Sequence, residues 1–342
     1  MKRLIVSIVL LVPVLMSFFA VEEKSDLDLD TPLVDILEML GQPKPNHYLT
    51  PADSVKIEIG RQLVLDGQAK IPGGGRTRAI SRFFICTDCH NQVQEDPVLG
   101  NFDPEARLDY AIEHDLPFLQ ATTFWGITNR ETWYNDDYFL KYGELVAEAR
   151  NSLKESTQLC AIECSSGREL KDWELECILQ YYRTLELKLD DVKLTASELD
   201  ELSEVIEDPV RHKEARDYIK QKFATYSPAN FVEPPSPLIE GYKIDRPADV
   251  ERGKEIYDRS CKTCHTTKKC SQFILDDATV TFKKLVNNLD KHTFFNLYKI
   301  IRKGTYAQPG HKQYMPMYSQ ERLSNAQLED LRAYIEKEAV GF

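Results

Sequence analysis

Two cysteines, two spacers and a histidine occur twice in the chain, as CTDCH at Cys86, Cys89 and His90 and as CKTCH at Cys261, Cys264 and His265. Positions three apart share one face of a helical turn. Both sulfurs of such a unit can therefore reach the same side of a flat group while the following imidazole turns to its centre. Covalent haem attachment uses all of these positions at once. A zinc knuckle accounts for paired CxxC units that lie about 15 to 20 residues apart, whereas these are separated by most of the sequence. A redox dithiol leaves the histidine unexplained, twice. The spacing predicts two covalently attached haem c groups, with His90 and His265 as iron ligands.

The rest of the composition sets the surroundings. A chain of 342 residues has room for two ordinary domains. With 55 acidic residues against 43 basic the formal charge is -12, and no basic block offers a nucleic-acid surface. Acidic character suits a soluble partner or a basic docking patch. The opening MKRLIVSIVLLVPVLMSFFAVEEKSDLDLD sets a basic pair before an uncharged apolar run and an acidic stretch after it. Residues 1–21 thus read as a cleaved export signal or a retained membrane anchor, and the body as periplasmic or otherwise exported.

The second unit has a recognisable setting. A short helix with Gly253 and Tyr257 leads into it, and FFNLYKIIRKG follows as a helical stretch. The chain ends on YMPMYSQERLSNAQLEDLRAYIEKE, where Ser324 and Gln327 form a capping box ahead of Leu328, Leu331 and Ile335 on one helix face. Met315 precedes Pro316, which favours extended backbone at the methionine. A thioether in such a loop is a common soft ligand for haem iron. On these features residues 247–342 resemble a class I cytochrome c domain, which implies His265 as proximal and Met315 as distal ligand. Met317 is the runner-up for the distal place.

The first unit follows the same plan, stretched. PADSVKIEIGRQLVLDG reads as a helix with Gly60 where Gly253 stands later, and AKIPGGGRTRAIS must be a loop. The ending GRELKDWELECILQYYRTLEL matches the final helix, with Leu170 over Leu323, Leu175 over Leu328 and Tyr181 over Tyr334. An internal duplication follows, and 51–188 is expected to be a second cytochrome c-like domain with insertions.

That register sets Ile162 opposite Met315, and isoleucine cannot bind iron. Beside it stand Cys160 and Cys164. Either thiolate would give a His/Cys haem of low potential. Alternatively the two pair with each other, or with Cys177 or Cys270, as disulfides of an oxidising compartment. The iron would then take His114, less readily His47, or stay open. The insertion around His114 carries Phe118, Phe124, Trp125, Trp133, Tyr134 and Tyr138, which read as extra walling for a haem or as a substrate pocket. Arg107 or Arg130 would serve an anion or the haem propionates there.

The expected organisation is mainly α: 1–21 signal or anchor, 22–50 an acidic tether, 51–188 the first haem domain, 189–246 a helical segment and proline-rich linker, and 247–342 the second haem domain. The expected function is one-electron transfer from the first haem to the His/Met haem and on to an external acceptor, between redox donor and acceptor proteins that are soluble or membrane-bound. The alternative is an enzyme. Unequal tandem haem sites resemble dihaem cytochrome c peroxidases in plan, and a His/Cys first haem would resemble dihaem thiosulfate dehydrogenases.

Overall fold

The computed structural model describes residues 27–267, 269–271, 273–293, 295–305 and 315–340. The expected signal or anchor at 1–21 lies outside the described residues. Among the described residues every regular element is helical, and the only β features are isolated bridges between Pro32 and Lys188 and between Lys70 and Arg76. The mainly helical fold expected from the sequence is the one that forms. No described helix is long and apolar enough to cross a membrane.

In chain order α1 (Leu33–Met39) is followed by α2 (Ser54–Asp66), which Asp53 caps by accepting from the amides of Val55 and Lys56. Gly67, in the left-handed region, ends it. The triple-glycine loop comes next, then the first CxxCH turn. Beyond it run α3 (Pro104–Glu113), α4 (Asp136–Tyr142), α5 (Leu153–Leu159) and α6 (Asp172–Arg183). Helices α7 (Ala196–Ile206) and α8 (His212–Lys220) lie between the halves. The second half contains α9 (Val250–Ile256), α10 (Lys262–His265), α11 (Thr279–Val286), α12 (Leu297–Lys303) and α13 (Asn325–Val340).

Each half is organised by one helix crossing. In the first, α2 meets α6 so closely that a methyl group on Gly60 would fall 1.9 Å from the carbonyl oxygen of Cys177. In the second, α9 meets α13, and a methyl group on Gly253 would fall 2.0 Å from the carbonyl oxygen of Asp330. The register that sets Leu175 over Leu328 also sets Cys177 over Asp330. The same glycine therefore presses on the same carbonyl in both halves, where no residue with a side chain fits. The capping box at the start of α13 forms as its sequence predicts, with the Gln327 amide donating to Ser324 Oγ at 2.9 Å and the Ser324 amide to Gln327 Oε1 at 2.9 Å.

Segments expected to be connectors are packed instead. Within 22–50, Leu33, Ile36, Leu37 and Leu40 are buried against Leu187, Leu189, Leu202, Val205, Ile219 and Phe223, so α1 closes a third apolar cluster with α7 and α8. Charge and proline content hid the four-residue apolar stripe that makes this stretch part of the fold rather than a tether. The proline-rich run behaves likewise. Asn135 Nδ2 donates to the carbonyls of Ser227 and Ala229 at 3.3 and 2.6 Å, and Leu238 is buried in the second-half core.

The halves share one interior. Leu108 and Ala111 of α3, with Phe118 beyond it, sit in the apolar core of the second half. The Phe118 amide donates to the Arg259 carbonyl at 2.9 Å, and Ser260 Oγ donates to the Phe118 carbonyl. Beside this contact Arg322 grips Glu95 through both terminal guanidinium nitrogens, at 2.7 and 3.0 Å, and Arg107 approaches the same carboxylate at 3.8 Å. All three side chains are buried. Attraction from Arg322 and Arg107 holds the Glu95 carboxyl down to about 2 against the effect of burial.

Gly253→Ala and Gly60→Ala should each destabilise the protein by about 1–3 kcal/mol through overpacking, read as a fall in the denaturant midpoint. Glu95→Gln leaves two buried cations short of their partner and should cost about 3–5 kcal/mol in the same measurement.

Candidate haem centres

The first CxxCH unit is a single turn, closed by the amides of Cys89 and His90 donating to the Cys86 carbonyl at 3.2 and 3.1 Å. In the second, a wide turn over Tyr257–Cys261 runs directly into α10. The first turn brings its two sulfurs and its imidazole to the wall of one cavity, as the spacing requires.

The two imidazoles are held in the same way. His90 Nδ1 lies 2.6 Å from the Thr122 carbonyl, and His265 Nδ1 lies 2.7 Å from the Phe273 carbonyl. A carbonyl only accepts, so Nδ1 carries the proton and Nε2 keeps its lone pair for a metal. Burial pushes His90 down to about 4 and lowers His265 as well, which keeps both rings in the neutral form that binds iron. His90 also stacks on Phe124, ring centroids 4.3 Å apart, and Phe124 on Tyr182 at 4.6 Å. Thiols and histidine therefore fit a covalently held haem at both turns, with the ring of His90 fixed by a bond and a stack.

A cavity of about 250 Å³ opens beside the first turn, lined by Cys86, Cys89 and His90 and by Cys160 and Cys164. The last two belong to a π-helical turn, Cys160–Cys164, that continues α5. Such a wide turn brings residues four apart to one face, and single π turns often mark functional sites. Ile162, in the same turn, is not among the lining residues. A hydrogen bond with Cys160, then one with Tyr134, draws the exposed Cys164 thiol below its ordinary value, while Cys160 is pushed well above.

Other expected ligands stand elsewhere. His114 is exposed at the end of α3 and packs on Tyr110, ring centroids 4.0 Å apart. His47 reaches the Thr128 carbonyl at 2.9 Å, and neither histidine lines the cavity. All eight cysteines are free. Cys177 is buried in the first-half core, and Cys270 Sγ lies 3.9 Å from the Cys264 carbonyl, so neither pairs with Cys160 or Cys164. The fold separates Cys177 and Cys270 from these two thiols, whereas Cys160 and Cys164 themselves lie within hydrogen-bond reach of each other.

In the second half Met315 packs against the apolar core, its amide donating to Thr305 Oγ1 at 2.6 Å and its carbonyl accepting from the Thr305 amide at 2.9 Å. Met317 does not join it. Its sulfur lies 2.7 Å from Lys141 Nζ, and the residue lines the first cavity. Pro316, Ser319, Glu321 and Arg322 also reach that cavity, so the second half completes the wall of the first. The expected aromatic walling divides in three. Phe124, Trp133, Tyr134 and Tyr138 line the cavity, Trp125 packs with the third cluster, and Phe118 lies in the second-half core under Arg107. The two CxxCH turns touch, with Cys264 Sγ 3.8 Å from the Asp88 carbonyl oxygen.

Residues 248–335 match the family described as cytochrome c oxidase, cbb3-type, subunit III. This part of the chain is similar to a c-type cytochrome domain. Such a domain implies covalently bound haem c, haem-based electron transfer and redox partner proteins, and domains of this kind are typically exported. The match covers about a quarter of the sequence, and no curated protein matches the chain.

Proposed function

We propose that the chain is an exported dihaem c-type cytochrome, with 51–188 and 247–342 as two haem domains built on one plan. The observation that carries this reading is the repeated holding of an imidazole beside two cysteines, Nδ1 on a carbonyl and Nε2 left free. The repeated glycine crossing supports common descent of the halves. Contact between the two CxxCH turns supports a short path from one site to the other.

His90 and His265 would each hold an iron, and Met315 would supply a further ligand at the second haem. Cys164, with Cys160 beside it, is the distal ligand of the first. No histidine other than His90 lines that cavity among the described residues, whereas both thiols do. Haems held by these residues would supply one-electron iron couples, which would let electrons pass from the first site to the second and on to an external acceptor. A thiolate would hold the first site at low potential and a thioether would hold the second higher, which would set the direction of flow. The protein's own part is to fix both imidazoles, exclude water with the aromatic wall and keep the two sites in register through Glu95 and Arg322.

A second reading, a dihaem enzyme acting at the first haem, is favoured by one observation: the first cavity carries two thiols where one would suffice as a ligand. A dehydrogenase of small sulfur compounds fits that better than a peroxidase.

Low-temperature EPR of the oxidised protein separates these outcomes. The expected result is two low-spin signals, one of thiolate character lost in Cys164→Ala and one lost in Met315→Ala. A high-spin first haem in the wild type would contradict thiolate ligation.

A further inference from the structure

Arg130 is 8% exposed, and its guanidinium makes one side-chain hydrogen bond, from Nη1 to Thr122 Oγ1 at 3.3 Å. Among the described residues no carboxylate lies within ion-pair distance of it. The acidic groups whose charge bears on Arg130 are Glu95, Asp96 and Glu321. Glu95 is already gripped by Arg322 and approached by Arg107. Glu321 accepts from Ser319 Oγ and from the Asn230 amide. Asp96 is pushed up to about 6 by burial and by Glu95, so its proton is only loosely held off at neutral pH. The result is a buried cation with no carboxylate at ion-pair distance, an unfavourable arrangement unless something fills it.

The guanidinium faces two spaces. One is the cavity of about 250 Å³ beside Cys86, Cys89 and His90, and the other a chamber of about 40 Å³ bounded by Glu95 and Asp96. Thr122 ties it to the first site, since its hydroxyl accepts from Arg130 and its carbonyl from His90. Carboxylate is the chemistry that fits a planar fork of donors in such a place.

We propose that Arg130 anchors a carboxylate inside the first cavity, and that this carboxylate is a propionate of the haem held by Cys86 and Cys89. The inference rests on the first CxxCH turn being a haem site. Removing the guanidinium takes a buried positive charge from the wall of the first cavity, which would disfavour the reduced state of a haem there.

The test is a spectroelectrochemical titration of the matured full chain, with the second haem as internal reference and haem content measured by mass. Arg130→Gln should lower the first potential and leave the second in place, and Arg130→Lys should restore most of the shift. Acetate added to the wild type should change nothing. Two haems with an unmoved first potential in Arg130→Gln would overturn the assignment of Arg130. An acetate-induced shift that Arg130→Gln abolishes would overturn the propionate in favour of a free small carboxylate. A wild-type chain carrying one haem would instead overturn the reading of the first site itself. Should Arg130→Gln fail to mature, a first potential in Arg130→Lys equal to wild type supports a charge role, and acetate sensitivity of the wild type still overturns the propionate.

Discussion

The contact on which the molecule depends is a glycine pressed against a carbonyl. Gly60 under Cys177 and Gly253 under Asp330 each let an entry helix cross a closing helix at backbone distance. A larger residue would lift α2 from α6 or α9 from α13 and open the core that the crossing seals. Because α9 runs straight into Tyr257–Cys261 and α10, its seating on α13 also fixes where the second pair of thiols points. In the first half a loop of some length separates α2 from Cys86, and Gly67 and Ile80 bring it back to the cavity wall.

Placement of one site against the other rests on a different kind of force. Glu95 with Arg322 and Arg107 is a buried ionic cluster, strong only because both ends of the carboxylate are met. It sits beside the apolar wedge of Leu108, Ala111 and Phe118, so register and adhesion come from neighbouring groups. One consequence is that residues of the cytochrome domain at 248–335, Arg322 among them, wall the cavity of the other half. The first site is therefore incomplete without the second domain.

Much of this was legible beforehand. The CxxCH spacing, the glycine of each entry helix, the capping box at Ser324 and the matched leucines all name local geometry that a single sequence carries. What was hidden is relational. Thr122 and Phe273 hold the imidazoles through backbone carbonyls, which any residue supplies, so no side-chain signal marks them. Nearness in sequence places Met317 with Met315, and the fold turns it to the first cavity against Lys141. His114 was the plausible imidazole by chemistry, but α3 belongs to the second-half core and leaves it exposed at the helix end. The apolar stripe from Leu33 to Leu40 was masked by its acidic and proline-containing neighbours.

The proposed function requires a haem on both CxxCH turns. Peptide mapping by mass spectrometry of the chain, produced with its haem-attachment machinery, tests it most directly. The account predicts haem on the peptide holding Cys86 and Cys89 as well as on the one holding Cys261 and Cys264. Free, alkylatable thiols at Cys86 and Cys89 beside a fully haem-bearing second peptide would contradict it.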